Sequence, residues 1–253
     1  MTDEYIPNMV NKDEVIRTSN KKCDFVLVVD INNRINGETV NEAIGEIIIN
    51  LKRLQVEVSQ ELDIVISIIT FAGKAECKVE QTMIMDYIHS PIIFDGVQKS
   101  YTNAFDLLNE KLTRKQFMAH TGKIAQPYIL FITDGLTEPD DDYTSKLDAL
   151  YENGWFTHSQ RFAVLIGEDA INSTSVRNAV SKFVSNPDET IIKINEFVEI
   201  IKSCCPIHIG PGVHFPSHET SKDVEITEEE MPDFGGFGCF DIFAGDFDDW
   251  SFI

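Results

Sequence analysis

The chain has 253 residues, 43% of them hydrophobic, and a formal net charge of -21, which suits one large α/β domain with an appendage. The charge excludes sequence-independent nucleic-acid binding, which needs lysine and arginine to neutralise phosphates, and it disfavours anionic membrane surfaces. No apolar run approaches the roughly 20 residues of a membrane span, and residues 1–20 lack the apolar centre of a secretory signal, so a cytoplasmic protein is expected.

Residues 1–21 read as a polar extension. Residues 25–29 are continuously apolar, as expected of a central parallel strand covered on both faces. They run into Asp30-Ile31-Asn32-Asn33-Arg34. Over residues 38–58, Val40, Ile44, Ile47, Ile48, Leu51 and Leu54 recur at helical spacing. Residues 62–71 are β-branched and strand-like, Ala72-Gly73 is a turn, and residues 75–79 return as an antiparallel edge strand. A helix is expected over residues 103–118, with Thr102 as its N-cap. Residues 128–133 form the next central strand and end on Thr133-Asp134-Gly135. Helices are expected at 143–151, 175–183 and 196–201, and strands at 161–166 and 190–194. Strands alternating with helices of this length predict a doubly wound, mostly parallel central sheet flanked by helices.

Beyond residue 203 the periodicity stops. Residues 204–230 read as a linker with prolines, histidines and acids. Residues 231–253 then place Phe234, Phe237, Phe240, Phe243, Phe247 and Trp250 among glycines and aspartates. From Glu219 to the end there are eleven acids and one lysine. Glycine disfavours an isolated helix in the tail, yet its aromatics are too many for a solvated segment. Docking on a partner protein or a neighbouring copy is expected in preference to self-docking. The five cysteines, Cys23, Cys77, Cys204, Cys205 and Cys239, form no CxxC and read as free thiols. Cys204, Cys205, His208, His214 and His218 could ligate zinc, but prolines interrupt them and the spacing fits no common finger. Thr220, Ser221 and Thr227 are candidate phosphorylation sites in the acidic linker.

Polar clusters at the carboxyl ends of two strands, with a threonine ahead of a helix, point to one ligand site at the top of a parallel sheet. Around these residues the chain resembles a von Willebrand factor A (vWA) domain, over about residues 22–203. Within that family it is most similar to the bacterial cytoplasmic TerY/YegL-like type associated with tellurite resistance. The resemblance implies a metal-ion-dependent adhesion site (MIDAS) built on Asp30, Asn32, Thr102 and Asp134. Such a site holds magnesium, which takes six oxygens at about 2.0–2.1 Å, and leaves one position for a partner's carboxylate.

Arg34 stands at a ligand position and has five donors and no acceptor. Three states stay open: magnesium held by Asp30, Asn32, Thr102 and Asp134; the Arg34 guanidinium filling the metal's place; or Arg34 in solvent with the site empty. Asp30, Asp134 and Thr102 could also be simple caps. Asp140-Asp141-Asp142 reads as a solvated turn and helix start, without the spaced oxygens of a calcium loop. No GxSxG, HExxH, phosphate loop or dinucleotide fingerprint is present. No catalytic residue is therefore assigned. Cys23 reads as a small buried residue, and the histidines as loop or surface residues.

The resulting expectation is a non-enzymatic protein–protein interaction module with a degenerate adhesion site. The resemblance implies a bacterial stress-response or tellurite-resistance system and a kinase or phosphatase partner. No cofactor is expected unless the degenerate site takes magnesium. The alternatives are a magnesium-dependent ligand-binding domain and a metal-dependent hydrolase.

Overall fold

The computed structural model describes residues 21–59, 62–120, 124–135 and 141–198. Strand β1 (Lys21–Asp30) leads to helix α1 (Gly37–Val58), strand β2 (Leu62–Phe71) and edge strand β3 (Ala75–Met83). A connector then reaches α2 (Tyr101–Lys111) and β4 (Tyr128–Thr133). Next come α3 (Thr144–Tyr151), α4 (Gly154–Thr157), β5 (Gln160–Leu165), α5 (Glu168–Asn172), α6 (Thr174–Ser181), α7 (Pro187–Thr190) and β6 (Ile191–Lys193). The sheet order is β3-β2-β1-β4-β5-β6. Only β3 is antiparallel, against β2. The fold is thus a doubly wound α/β sheet of the vWA/Rossmann-like kind.

β1 is buried along nearly its whole length because its two faces serve two cores. Phe25, Leu27 and Val29 face α1, where they meet Val40, Ile44, Ile47 and Leu51. Val26 and Val28 face the opposite layer with Phe105 and Leu108 of α2, Leu147 of α3 and Val176 of α6. Each fully buried side chain of this size is worth roughly 1.5–3 kcal/mol. Phe131 of β4 centres the second core, stacked on Phe71 at 5.4 Å and edge-on to Tyr101 at 5.0 Å.

Helix α1 starts where Asn36 accepts hydrogen bonds from the amides of Glu38 and Thr39 at 3.2 and 3.3 Å, satisfying two otherwise unpaired donors. Helix α2 differs from expectation at both ends. Its N-cap is Ser100, whose Oγ accepts from the Asn103 amide at 3.2 Å. Thr102 already lies inside the first turn. The helix stops at Lys111, and residues 114–118 form turns. Among the described residues, no helix is long and apolar enough to cross a membrane.

Candidate functional site

Parallel strands end together, so β1 and β4 place Asp30 and Asp134 side by side above the same edge of the sheet. Val29 lies opposite Ile132 in the register. The loop after β1 is built from two successive side-chain turns. Asp30 Oδ1 accepts from the Asn32 amide at 3.0 Å, and Asn32 Oδ1 accepts from the Arg34 amide at 3.0 Å. Asn32 is buried, and its carbonyl oxygen closes this turn rather than facing a cation. The connector then approaches. Gly96 donates to Ile31 O at 3.0 Å, and its carbonyl accepts from the Asn33 amide at 2.8 Å. A Cβ on Gly96 would sit 2.4 Å from Ala72 Cβ and 3.1 Å from Ile31 O, so only glycine allows the contact. Ser100 N–H donates to Ala72 O at 2.8 Å, and the two pins hold Lys99 between them.

Lys99 decides the character of the site. It is 1% exposed, and its ammonium lies 2.5 Å from Asp30 Oδ2 while also donating to Asp134 Oδ1. The Tyr101 ring lies 5.8 Å from the ammonium, within range of a cation–π attraction. The remaining Asp30 partner is Thr133, whose hydroxyl donates to Oδ2 at 2.8 Å. Thr133 Oγ1 is itself 2.8 Å from the Tyr101 hydroxyl and accepts from the Gly135 amide at 3.0 Å. Burial pushes the Asp30 carboxyl above its ordinary value, while Lys99, Thr133 and the Asn32 amide pull it back. Burial, reinforced by the nearby charges of Asp30 and Asp134, holds the Tyr101 phenol well above its usual value against the opposing hydrogen bond to Thr133.

Arg34 does not fill the centre. Its Nε lies 3.5 Å from Asp134 Oδ2, and its side chain is 49% exposed. The guanidinium caps the rim on the Asp134 side, and no contact joins it to Asp30. Two carboxylates and two cations make the cluster formally neutral. Thr102 does not join it: among the described residues its hydroxyl makes no bond to Asp30, Asp134 or Lys99. Its amide, 3.4 Å from both Asp141 oxygens, joins a different arrangement.

Asp141 is not a freely solvated turn residue. It accepts from the Tyr101 amide at 2.5 Å and from Ser100 Oγ at 3.2 Å, so its charge meets the positive end of α2. Among the described residues, no group of three or more His, Cys, Asp or Glu side chains could hold a metal ion. The donor set at Asp30 and Asp134 does not fit magnesium either. An ammonium occupies the space between the carboxylates, and the Asn32 oxygen is already engaged. Cys23 is buried. The tail residues Phe234, Phe237, Phe240, Phe243, Phe247 and Trp250 lie outside the described residues, as do Thr220, Ser221, Thr227 and the cysteine–histidine loop at 204–218.

No family model matches the chain, and no curated protein matches it. Among solved structures, an aerotolerance-related membrane protein from Bacteroides fragilis is similar at 13% identity, with 72% of this chain and 97% of that one covered and a TM-score of 0.45. Proximal thread matrix protein 1 from the mussel byssus is similar at 14% identity, covering 74% of this chain and 46% of that one, with a TM-score of 0.45. The BatB protein of Bacteroides thetaiotaomicron has 18% identity over 56% of this chain and 66% of its own, with a TM-score of 0.36. These likenesses are distant, and the reading of the site rests on its own residues.

Proposed function

We propose that this chain is a non-enzymatic protein-interaction module whose adhesion face works without a metal. The observation that carries the reading is the Lys99 ammonium between Asp30 and Asp134. An internal cation there supplies the charge that a divalent ion would bring, and it cannot be removed by a chelator. It leaves no open coordination position for a partner's carboxylate. Arg34 takes over the exposed part of that role, because its guanidinium carries donors beyond the one facing Asp134. An acidic side chain on a partner is the matching group. The assignment to a bacterial stress or tellurite-resistance system, with a TerY/YegL-like character and a kinase or phosphatase partner, rests on the sequence resemblance alone.

The test combines calorimetry with partner capture. Titration of the full chain with magnesium should give no heat of binding in the millimolar range, for the native chain and for Arg34→Ser alike. Partner capture from native cells should survive a chelator and fall with Arg34→Glu. Magnesium binding tighter than millimolar, lost on Asp134→Ala, would instead establish the metal-dependent alternative.

A further inference from the structure

The two faces of the sheet are covered unequally. One side carries α2, α3, α4 and α6. On the other, the described cover is α1, the connector of residues 84–100, and residues 194–198. Ile84 and Tyr87 of the connector are buried in that core, and Ile92 and Phe94 pack against it. Asn41 of α1 holds the connector alongside: its Nδ2 donates to Ile92 O at 2.9 Å, and its Oδ1 accepts from the Ile92 amide at 2.7 Å.

The large exposed apolar side chains gather on this side. Among the described residues, all of them except Tyr151 lie on α1, at the end of β3 or in the connector. Ile88, Ile93 and Val97 are 83%, 74% and 78% exposed. On α1, Gly45, Ile49, Lys52 and Val56 follow one another at steps of four, three and four, so they share one outward stripe. Ile49 and Val56 are exposed, and a Cβ on Gly45 would touch nothing within 4 Å. A glycine inside a helix costs about 1 kcal/mol relative to alanine, and nothing in the described structure requires this one. Lys52 is the one charge between Gly45 and Val56 on this stripe, and the exposed Glu42 and Glu46 lie one turn before Gly45 and Ile49.

We propose that residues 234–252 of the same chain lie across this face, with phenylalanine rings over Gly45 and against Ile49, Val56, Ile88 and Ile93. Three features select this occupant. The described chain ends on this side: Ile194, Phe197 and Val198 belong to the same core. The stretch between Val198 and Phe234 can extend to roughly 120 Å, whereas the sheet from β6 to β3 is only about 24 Å wide at the usual strand spacing. The aromatics are flanked by Asp241, Asp246, Asp248 and Asp249, and Lys52 stands between the two apolar residues of the stripe. A segment of the same chain also meets the face at an effective concentration that a separate partner must exceed. These features favour the chain's own tail over another molecule, the occupant the sequence favours.

Hydrogen exchange on the full chain tests this. Phe237→Ser, Phe240→Ser and Phe243→Ser together should raise deuterium uptake several-fold in peptides covering residues 45–56 and 85–97, and leave β1 and β4 unchanged. In reciprocal fashion, Ile49→Asp with Ile93→Asp, both at exposed positions, should raise uptake in residues 234–252. Protection of the face should not vary over a twentyfold range of protein concentration. Unchanged uptake in both variants would overturn the proposal. Protection that appears only at high concentration would overturn it in favour of a second copy.

Discussion

Strand β1 carries a buried aspartate near each end, on the same face, and each is paired with a lysine. Asp30 at the carboxyl end meets Lys99 at 2.5 Å, the Thr133 hydroxyl at 2.8 Å and the Asn32 amide at 3.0 Å. Asp24 near the other end has Lys22 at 3.2 Å, but neither of its oxygens accepts a hydrogen bond. The donors of Lys22 are directed elsewhere, to the carbonyls of Phe117 and Ala119. Burial therefore dominates at Asp24 and raises its carboxyl from 3.8 to about 7. Burial is the largest influence on both carboxyls and raises both. Lys22 alone opposes it at Asp24, whereas Lys99, the Thr133 hydroxyl and the Asn32 amide oppose it together at Asp30.

The largest effect should come from removing the ammonium at the better-built end. Lys99→Met leaves Asp30 and Asp134 facing each other, and breaking a buried pair from one side costs about 3–5 kcal/mol. Urea denaturation at neutral pH should show that loss, and lowering the pH should restore part of it as the carboxylates take up protons. A loss below 1 kcal/mol would mean that the pair is not buried in solution.

At the other end the comparison becomes a pH profile. Between its ordinary value of 3.8 and about 7, Asp24 holds a proton in the folded chain and loses it in the unfolded one. Its contribution is therefore fully present in acid and disappears as the pH rises through about 7, a change of up to about 4 kcal/mol. Asp24→Asn should flatten this slope relative to the native chain. The slope difference measures the carboxyl, and any constant offset measures what Lys22 loses. Parallel profiles for the two proteins would sink the assignment.

Smaller effects discriminate within the Asp30 network. Thr133→Val keeps the shape but removes the hydroxyl shared by Asp30, Tyr101 and the Gly135 amide. About 1–3 kcal/mol should be lost, visible as a lowered Tm at unchanged far-ultraviolet dichroism. Arg34→Ala should cost under about 1 kcal/mol, since its pair with Asp134 is half in solvent and screened. If Arg34→Ala proves more damaging than Thr133→Val in the same thermal melts, the roles assigned to centre and rim are reversed.

Much of the architecture was legible because the periodicities are strong. The apolar run in β1, the helical spacing in α1 and the strand of residues 128–133 all signal their elements directly. Helix α2 is shorter than its periodicity predicts because Leu112, Phe117 and Met118 continue an apolar pattern that the backbone meets with bends and turns. The sequence points to Asp30 and Asp134, which the fold brings side by side, but gives no sign of Lys99 between them. Lys99 lies in a connector without periodicity, and a lone lysine there looks like any solvated charge. The available signal was its position directly ahead of Ser100-Tyr101-Thr102, where the chain must pass the ends of both aspartate-bearing strands. Arg34 breaks the motif, but its neighbour Asn33 is tied to Gly96, and the guanidinium meets Asp134 only from the rim. Asp141 looks solvated in the sequence because nothing local shows that it lies across from the start of α2.

The strand order has a consequence for assembly during synthesis. β1 is made first and pairs with β2 soon afterwards, but its other neighbour is β4, with Phe25 opposite Tyr128. Pairings this distant in sequence are slow to form, because the loop must close before contacts reward it. Until Lys99 and then Asp134 have emerged, Asp30 has no cation to meet and cannot be buried without penalty. The nascent chain should therefore keep the carboxyl end of β1 open to water until it has been translated past Asp134.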